Sequence, residues 1–195
     1  MISISRRYPW TLWPDSICPS FLEDPILKKV QGDQYWKIEI DFEYTKDNFS
    51  TMKDVFCIVP KYTGLSIYEK RIFVGVGYND KDDWIASESF LEPETRYVIE
   101  YEHFPNDKLI IKIDGKEEFS YKLDTRPLAI VDNPIIFLGI NKHITKEETE
   151  VPDIKVYNFK IFDNNGLKCH HDFKEIIHDK AIDKTGNLNF LYQIG

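Results

Sequence analysis

Three carboxylates stand at alternating positions in one short segment of the sequence. The run Glu39-Ile-Asp41-Phe-Glu43 lies where apolar and polar residues alternate. Because successive side chains of a β-strand point to opposite faces, alternation places the three carboxylates on one face of a sheet. Crowded carboxylates raise at least one pKa, so one group can act as a general acid while another stays ionised. The same pattern is also that of any half-exposed strand with a solvated face.

A second group of oxygen-bearing side chains precedes a tryptophan. Carboxylate and amide oxygens are the ligands that calcium prefers, although the spacing here is not that of an EF-hand loop. We predict a possible calcium site at Asp80, Asp82 and Asp83. The alternative is a polar turn between two strands.

The same segment carries groups suited to a sugar. An indole can stack on an apolar sugar face, and amide or hydroxyl groups can bond to sugar hydroxyls. We predict ligand binding by Tyr78, Asn79 and Trp84, with Asn141 and Glu147 of a later loop as possible partners. In the alternative, Trp84 packs inward.

Two adjacent histidines follow a cysteine, which suggests zinc. His170 and His171 are neighbours on a predicted strand, so their rings point to opposite faces and cannot easily share one ion. No Gly-x-Ser-x-Gly nucleophile motif and no phosphate-binding glycine-rich loop is present. We therefore predict neither a zinc site nor a nucleophilic serine.

The elements that position these groups are strands. Alternating segments separated by turns, with little helical pattern beyond a possible turn at 146–150, predict an all-β antiparallel sandwich. Asp114-Gly115 and Asn165-Gly166 are typical hairpin turns. The predicted strands are 35–44, 55–60, 65–68, 72–78, 84–87, 95–103, 109–113, 117–123, 134–140 and 154–162, followed by a second strand of the last hairpin.

We predict that the chain divides into an irregular N-terminal arm, residues 1–34, and a sandwich, residues 35–195. Four prolines interrupt the arm, which nevertheless contains Trp10, Trp13, Phe21 and Leu22. These apolar residues either pack on the sandwich or dock on a partner.

Composition excludes several classes of partner. The chain has 195 residues, a formal net charge of −8 and 42% hydrophobic residues. This size and apolar content predict one folded domain, and the acidic balance argues against nucleic acid. No apolar run is long enough to cross a bilayer, so we predict no membrane insertion.

The cysteines and the N-terminus bear on the compartment. Cys18, Cys57 and Cys169 do not form a disulfide framework, which fits folding in a reducing cytoplasm. The first ten residues lack the apolar region and cleavage site of a signal peptide. We therefore expect a soluble protein without a signal peptide.

The C-terminal segment has three motifs in a fixed order: the Val156–Leu167 hairpin, Asp172-Phe173 and the Asp183-Lys-Thr-Gly-Asn turn. In this it resembles laminin-G-like domains of the concanavalin A type, especially those of bacteriophage structural proteins. The Ile113–Lys116 turn and the Ile136–Gly139 strand also match. The resemblance implies a concanavalin A-like jelly roll that is more often a recognition module than a catalyst.

This resemblance leads to the main functional expectation. It implies a non-catalytic glycan-recognition or structural module, a fibre, tail or head decoration of a virion assembled in the host cytoplasm. Glycans or other virion proteins would be its partners, and a homo-oligomer is expected. No cofactor is expected other than the possible calcium.

The carboxylate run carries the alternative. Glu-x-Asp-x-Glu resembles the catalytic strand of laminarinase- and lichenase-type glycoside hydrolases, which would make Glu39 the nucleophile, Glu43 the acid/base and Asp41 the residue that tunes them. Residues four apart on a strand are separated by about 13 Å, so both glutamates would have to lean inward to reach the roughly 5–5.5 Å of retaining enzymes. The run also lies in the first long strand, where the laminin-G-like pattern has a structural one. We therefore expect no enzyme, with a retaining hydrolase as the alternative.

Overall fold

Alternating apolar residues give a structure built from strands. The computed structural model describes residues 2–4, 10–12, 35–44, 53–59, 63–77, 82–105, 108–122, 135–138, 154–174, 176–177, 180–185 and 190–193. Within these residues there are sixteen strands and no helix. The strands are β1 (Ile2–Ile4), β2 (Trp10–Leu12), β3 (Trp36–Tyr44), β4 (Lys53–Val59), β5 (Thr63–Tyr68), β6 (Arg71–Gly77), β7 (Asp82–Phe90), β8 (Arg96–Phe104), β9 (Lys108–Ile113), β10 (Lys116–Lys122), β11 (Ile135–Leu138), β12 (Ile154–Asp163), β13 (Gly166–His171), β14 (Ile176–Ile177), β15 (Lys180–Ile182) and β16 (Phe190–Gln193).

The strands form two antiparallel sheets, as predicted. The front sheet has the order β1-β12-β3-β8-β9-β10, with β13 also paired to β12. The back sheet has the order β14-β15-β16-β2-β11-β4-β5-β6-β7. Strands that are neighbours in a sheet are in several cases far apart in sequence, as in a sandwich whose connections cross between the sheets.

Strand β3 shows how the alternation builds the core. Its apolar side chains are buried, and its polar ones lie on the opposite face. Trp36 stacks on Tyr101 of β8 with ring centroids 5.0 Å apart, and Tyr101 meets Phe56 of the back sheet edge-on at 6.0 Å. Burying such rings stabilises the fold by roughly 1.5–3 kcal/mol per side chain.

Two turns match the Asp-Gly and Asn-Gly signals of the sequence, and a third turn contains neither glycine nor asparagine. Asp114-Gly115 joins β9 to β10 with φ angles of 51° and 78°, and Gly166 has a φ of 103° in the β12–β13 turn. The β5–β6 turn has positive φ at Glu69 (47°) and Lys70 (64°), a conformation that favours glycine or asparagine. The predicted strands 65–68 and 72–78 placed a break here, but nothing in the sequence indicated the positive φ.

The N-terminal segment contributes to both sheets. Ile2–Ile4 pairs with β12 of the front sheet, and Trp10–Leu12 lies between β11 and β16 of the back sheet. The sequence showed no strand there, because three-residue strands are too short for an alternating pattern. The boundary between 1–34 and 35–195 remains a prediction, and the possible turn at 146–150 lies outside the described residues.

The closing turn near the C-terminus joins the two sheets. The Asp183 carboxylate accepts hydrogen bonds from the amides of His170 (2.9 Å) and Thr185 (3.0 Å). The Lys184 amide donates to the His170 carbonyl at 2.8 Å. These bonds fasten the end of β15, in the back sheet, to β13, in the front sheet.

Candidate functional site

Glu39, Asp41 and Glu43 lie on the outer face of β3, together as predicted. A β-bulge in the adjacent strand β12 sets their surroundings: Val156 lies opposite Phe42 and Asn158 lies opposite Asp41. Tyr157 is the extra residue, and the Tyr157 and Asn158 side chains both bond to the outer-face carboxylates.

Asp41 is the most enclosed of the three carboxylates, with 6% of the residue exposed. Arg96 of β8 donates to its two oxygens from Nε and Nη2, both at 2.6 Å, and Asn158 Nδ2 donates at 2.9 Å. The Arg96 guanidinium also lies 4.0 Å from the centroid of the Tyr157 ring. Asp41 is therefore held in a hydrogen-bonded ion pair.

The two glutamates have partners of the same kind. Lys160 Nζ lies 2.6 Å from Glu39 Oε1. Lys155 Nζ lies 2.6 Å from Glu43 Oε1, and the Tyr157 hydroxyl donates to Glu43 Oε2 at 3.0 Å. Lysines of β12 thus pair with both candidate catalytic glutamates.

These contacts favour ionised carboxylates. Burial by itself raises the pKa of Asp41, but the hydrogen bonds from Arg96 and Asn158 outweigh it and leave that pKa lowered. The bonds from Lys155 and Tyr157 lower the pKa of Glu43. A general acid at neutral pH needs a raised pKa, so the arrangement supplies the opposite of what Glu43 would require as the proton donor.

The ion pairing continues across the front sheet. Lys37 contacts Glu100 at 2.9 Å, Lys112 contacts Glu102 at 2.9 Å, and the Tyr35 hydroxyl donates to Glu102 at 2.9 Å. Burial and the bond to Glu102 raise the pKa of Tyr35 to about 12. The outer face of the front sheet therefore carries a network of ion pairs, in which lysine and arginine side chains hold the carboxylates in place.

Trp84 lies on the other sheet, near the start of β7. It faces outward and is 39% exposed, whereas the next residue, Ile85, packs against the core. The arrangement with the indole packed inward therefore does not describe this chain. An outward indole at a strand end is a surface on which a ligand ring can stack.

The rest of the predicted ligand group is placed only in part. Asp82 and Asp83 begin β7, and Asp83 is half-buried. Tyr78, Asn79, Asp80, Asn141 and Glu147 lie outside the described residues. Among the residues that the structure describes, no group of three or more His, Cys, Asp or Glu is arranged to hold a metal ion. The calcium and ligand assignments therefore remain predictions.

His170 and His171 face opposite ways, as the alternation predicts. His170 Nε2 lies 3.3 Å from Asn158 Oδ1 on the outer face, while His171 is fully buried beside Phe173. Burial lowers the pKa of His171 to about 4, against a smaller opposing effect of the Asp183 carboxylate. Cys169 is also buried.

The structure reveals a bulge on β7 that the sequence did not indicate. Phe73 of β6 lies opposite Ala86, and Arg71 lies opposite Phe90, so three residues of β7 face Ile72 alone. The Ser87 hydroxyl accepts a hydrogen bond from the Ile72 amide at 3.0 Å and donates to the Ser89 carbonyl at 2.9 Å. The sequence predicted a strand only at 84–87, because the alternation of apolar and polar residues is interrupted where this bulge begins.

The bulge prolongs β7 to Phe90, which is 63% exposed. Arg71 donates from Nε to the Ser87 carbonyl at 2.6 Å, and its guanidinium lies 5.8 Å from the centroid of the Phe90 ring. Phe90 is a candidate surface residue that sequence reasoning missed.

The part of the chain that the structure describes contains no helix able to span a membrane.

No family model and no curated protein matches the sequence. Solved structures do match it in fold. A protein from Bacteroides ovatus, described as carbohydrate-binding, is 12% identical with a TM-score of 0.67, over 97% of this chain and 57% of that one.

Two further structures share the fold. Domains LG4-5 of the mouse laminin alpha1 chain are 11% identical with a TM-score of 0.58, over 92% of this chain and 44% of that one. The CBM40 of the Ruminococcus gnavus IT-sialidase, solved with alpha2,3 sialyllactose, is 10% identical with a TM-score of 0.54, over 80% of this chain and 90% of that one. The chain thus spans about half the length of the laminin and Bacteroides structures. At these identities the likeness establishes the fold: the chain is a laminin-G-like, concanavalin A-like jelly roll.

Proposed function

We propose that this protein is a non-catalytic glycan-recognition module in which Trp84 stacks on a sugar ring. The observation that carries the proposal is the outward indole at the start of β7, directly after the polar segment 78–83. Sugar rings present apolar C–H faces and hydroxyl edges, so an exposed aromatic ring beside amide and carboxylate groups complements them.

The front sheet favours binding over hydrolysis. Each of the three carboxylates of β3 is paired with a lysine or arginine, and the pKa is lowered at Asp41 and at Glu43. In a retaining hydrolase one of the two carboxyl groups must start protonated. The fold also occurs in a sialidase module solved with a sugar, which supports glycans as the ligand class.

The finer proposal concerns calcium and location. Asp80, Asp82 and Asp83 would bind calcium and order the segment beside Trp84, and the module would belong to a bacteriophage particle. The C-terminal hairpin, with its resemblance to phage structural proteins, supports the second point. Immunogold labelling of particles from a producing culture, with antibody raised against this chain, tests the location.

Affinity electrophoresis tests the binding function. The purified protein is run through gels that contain bacterial or plant polysaccharides, with calcium or with a chelator. We expect retardation on at least one polysaccharide, and its loss in Trp84→Ala. Leu167→Ala is the matched control, because Leu167 is 40% exposed but lies on β13 of the front sheet. A chelator should weaken the retardation if calcium orders the site.

The same gels detect the alternative. A cleared zone along the migration path would mean hydrolysis, and its disappearance in Glu39→Gln would assign the catalysis to β3. Unchanged migration in all gels would overturn glycan recognition and favour a purely structural module.

A further inference from the structure

We propose that the outer side of β7 is a track for an extended glycan chain, which stacks on Trp84 at one end and on Phe90 at the other. This inference rests on the proposed glycan function, and it names the ligand class: a linear polysaccharide rather than a single terminal sugar. Among the side chains whose exposure the structure describes, Trp84 and Phe90 are the exposed aromatic ones, and both belong to β7.

The register places both rings on one face. Trp84 lies opposite Gly75 and Phe90 lies opposite Arg71, two positions of β6 that are four residues apart. Residues four apart on a strand share a face and are separated by about 13 Å. The bulge adds two residues to β7 over this interval and so preserves the shared face. Only a chain of several linked sugar rings can contact both side chains.

A hydrogen-bonded guanidinium lies on one side of the Phe90 ring. The hydrogen bonds from Arg71 to the Ser87 carbonyl fix the guanidinium that lies against the Phe90 ring. A ring with a fixed neighbour on one side loses less conformational freedom on binding than an unrestrained ring. At 63% exposure Phe90 contributes little to the core, so its placement does not follow from the packing of the sandwich.

On the shared face the pair between the two rings is Ala86 and Phe73, and polar groups adjoin Phe90 at the strand edge. Glu88 and Ser89 are exposed, and Glu118 of β10 reaches this point from the front sheet. Its carboxylate accepts bonds from the Ser89 amide and hydroxyl, which leaves further acceptor positions for sugar hydroxyls. Two aromatic platforms, an apolar surface between them and hydrogen-bonding groups beside Phe90 match the apolar faces and hydroxyl edges of a glycan chain.

The bulge also disfavours a protein strand as the occupant. Within the described strands β7 is the last strand of the back sheet, where another chain could add a strand. However, the Ser89 amide and carbonyl are bound by Glu118 and by the Ser87 hydroxyl. An edge distorted in this way pairs poorly with a second copy of the chain.

Variants of Phe90 test the track in gels containing hydroxyethylcellulose, xylan, laminarin or galactomannan. For a polysaccharide that retards the wild type, Phe90→Ala should weaken binding by about tenfold, whereas Phe90→Tyr, which keeps the ring, should bind normally. Leu167→Ala is again the control. An unchanged melting temperature shows that Phe90→Ala is folded. A hexasaccharide of the retained polysaccharide should compete much better against wild type than against Phe90→Ala, while the monosaccharide should not distinguish them.

The outcomes separate this inference from the proposed function. Loss of binding in Trp84→Ala with normal binding in Phe90→Ala would leave a single-sugar site and overturn the track. A wild type that no polysaccharide retards would overturn both. A change of oligomeric state in Phe90→Ala, seen by size-exclusion chromatography without any change in retardation, would instead identify the strand as a protein interface.

Discussion

The carboxylate of Glu118 accepts two hydrogen bonds from Ser89, one from the backbone amide and one from the hydroxyl, each 2.7 Å long. Glu118 is the extra residue of a bulge in β10, and Ser89 lies within the bulge of β7. Among the described strands β10 is the last of the front sheet and β7 the last of the back sheet, so this pair ties the two sheets together at one edge of the sandwich.

Replacement of Glu118 should destabilise the protein, because it removes the contact between β10 and β7. We expect Glu118→Ala to lower the free energy of unfolding by about 1 kcal/mol, since two partly exposed hydrogen bonds are lost. Burial raises the pKa of Glu118, but the bonds from Ser89 outweigh it and leave the pKa lowered. The stabilisation is therefore present above the unfolded pKa and lost as the pH falls through the folded one. Urea unfolding at neutral pH and at pH 3 measures both effects, and Glu117→Ala, at an exposed neighbour, should change neither.

The Asp41–Arg96 pair should contribute to stability rather than to chemistry. We expect Asp41→Asn to lower the free energy of unfolding by about 2 kcal/mol, because a charge-assisted bidentate contact is lost. Arg96→Gln should cost a similar amount, and the double variant less than the sum of the two. Urea unfolding of the three variants measures this coupling. Additive costs would show that the two residues do not act as a pair.

Acid should destabilise the protein through His171. Its pKa is about 4 in the folded state and about 6.5 when unfolded. As the pH falls between these values, the unfolded chain takes up a proton that the folded chain does not, so stability declines by on the order of 3 kcal/mol and then levels off. In His171→Gln this part of the decline should disappear. Urea unfolding from pH 7 to pH 4 measures it, with the less buried His170→Gln as the comparison.

Two turns with positive φ should each be more stable with glycine than without it. Replacing Glu69-Lys70 by Asn-Gly should raise the free energy of unfolding by about 0.5–1 kcal/mol, because these residues hold positive φ at a steric cost. Gly115→Ala should lower it by about 1 kcal/mol, although the added methyl group meets no atom within 4 Å. Thermal unfolding of both variants provides the measurement. The same sign for both would contradict the assignment to backbone strain.

The N-terminal strands should be part of the folded unit. Trp10–Leu12 pairs with β11 on one side and β16 on the other, so Thr11→Pro removes a ladder hydrogen bond inside the back sheet. We expect a loss of about 3 kcal/mol or an insoluble product, with Thr11→Val as the control that preserves the strand. A Thr11→Pro protein with unchanged melting temperature would mean that this segment is a separable arm.

Much of the fold followed from local pattern. The alternation in β3 predicted which of its apolar residues form the core, although not the burial of Asp41, and the Asp-Gly and Asn-Gly signals predicted two hairpins. The bulges in β7 and β10 were missed, because a bulge depends on which residues of the neighbouring strand lie opposite. The break at Glu69-Lys70 was predicted, but its conformation was missed because these residues normally avoid positive φ.

By itself the sequence determined that Glu39, Asp41 and Glu43 share a face, since the side-chain period of a strand is a local property of the chain. Only the tertiary structure decided what meets them: Arg96 and Asn158, the partners of Asp41, are 55 and 117 residues away. It also turned Trp84 and Phe90 to one side of β7 across a bulge. Register between distant strands depends on how the two sheets pack, and that packing is set by the whole core rather than by any one segment.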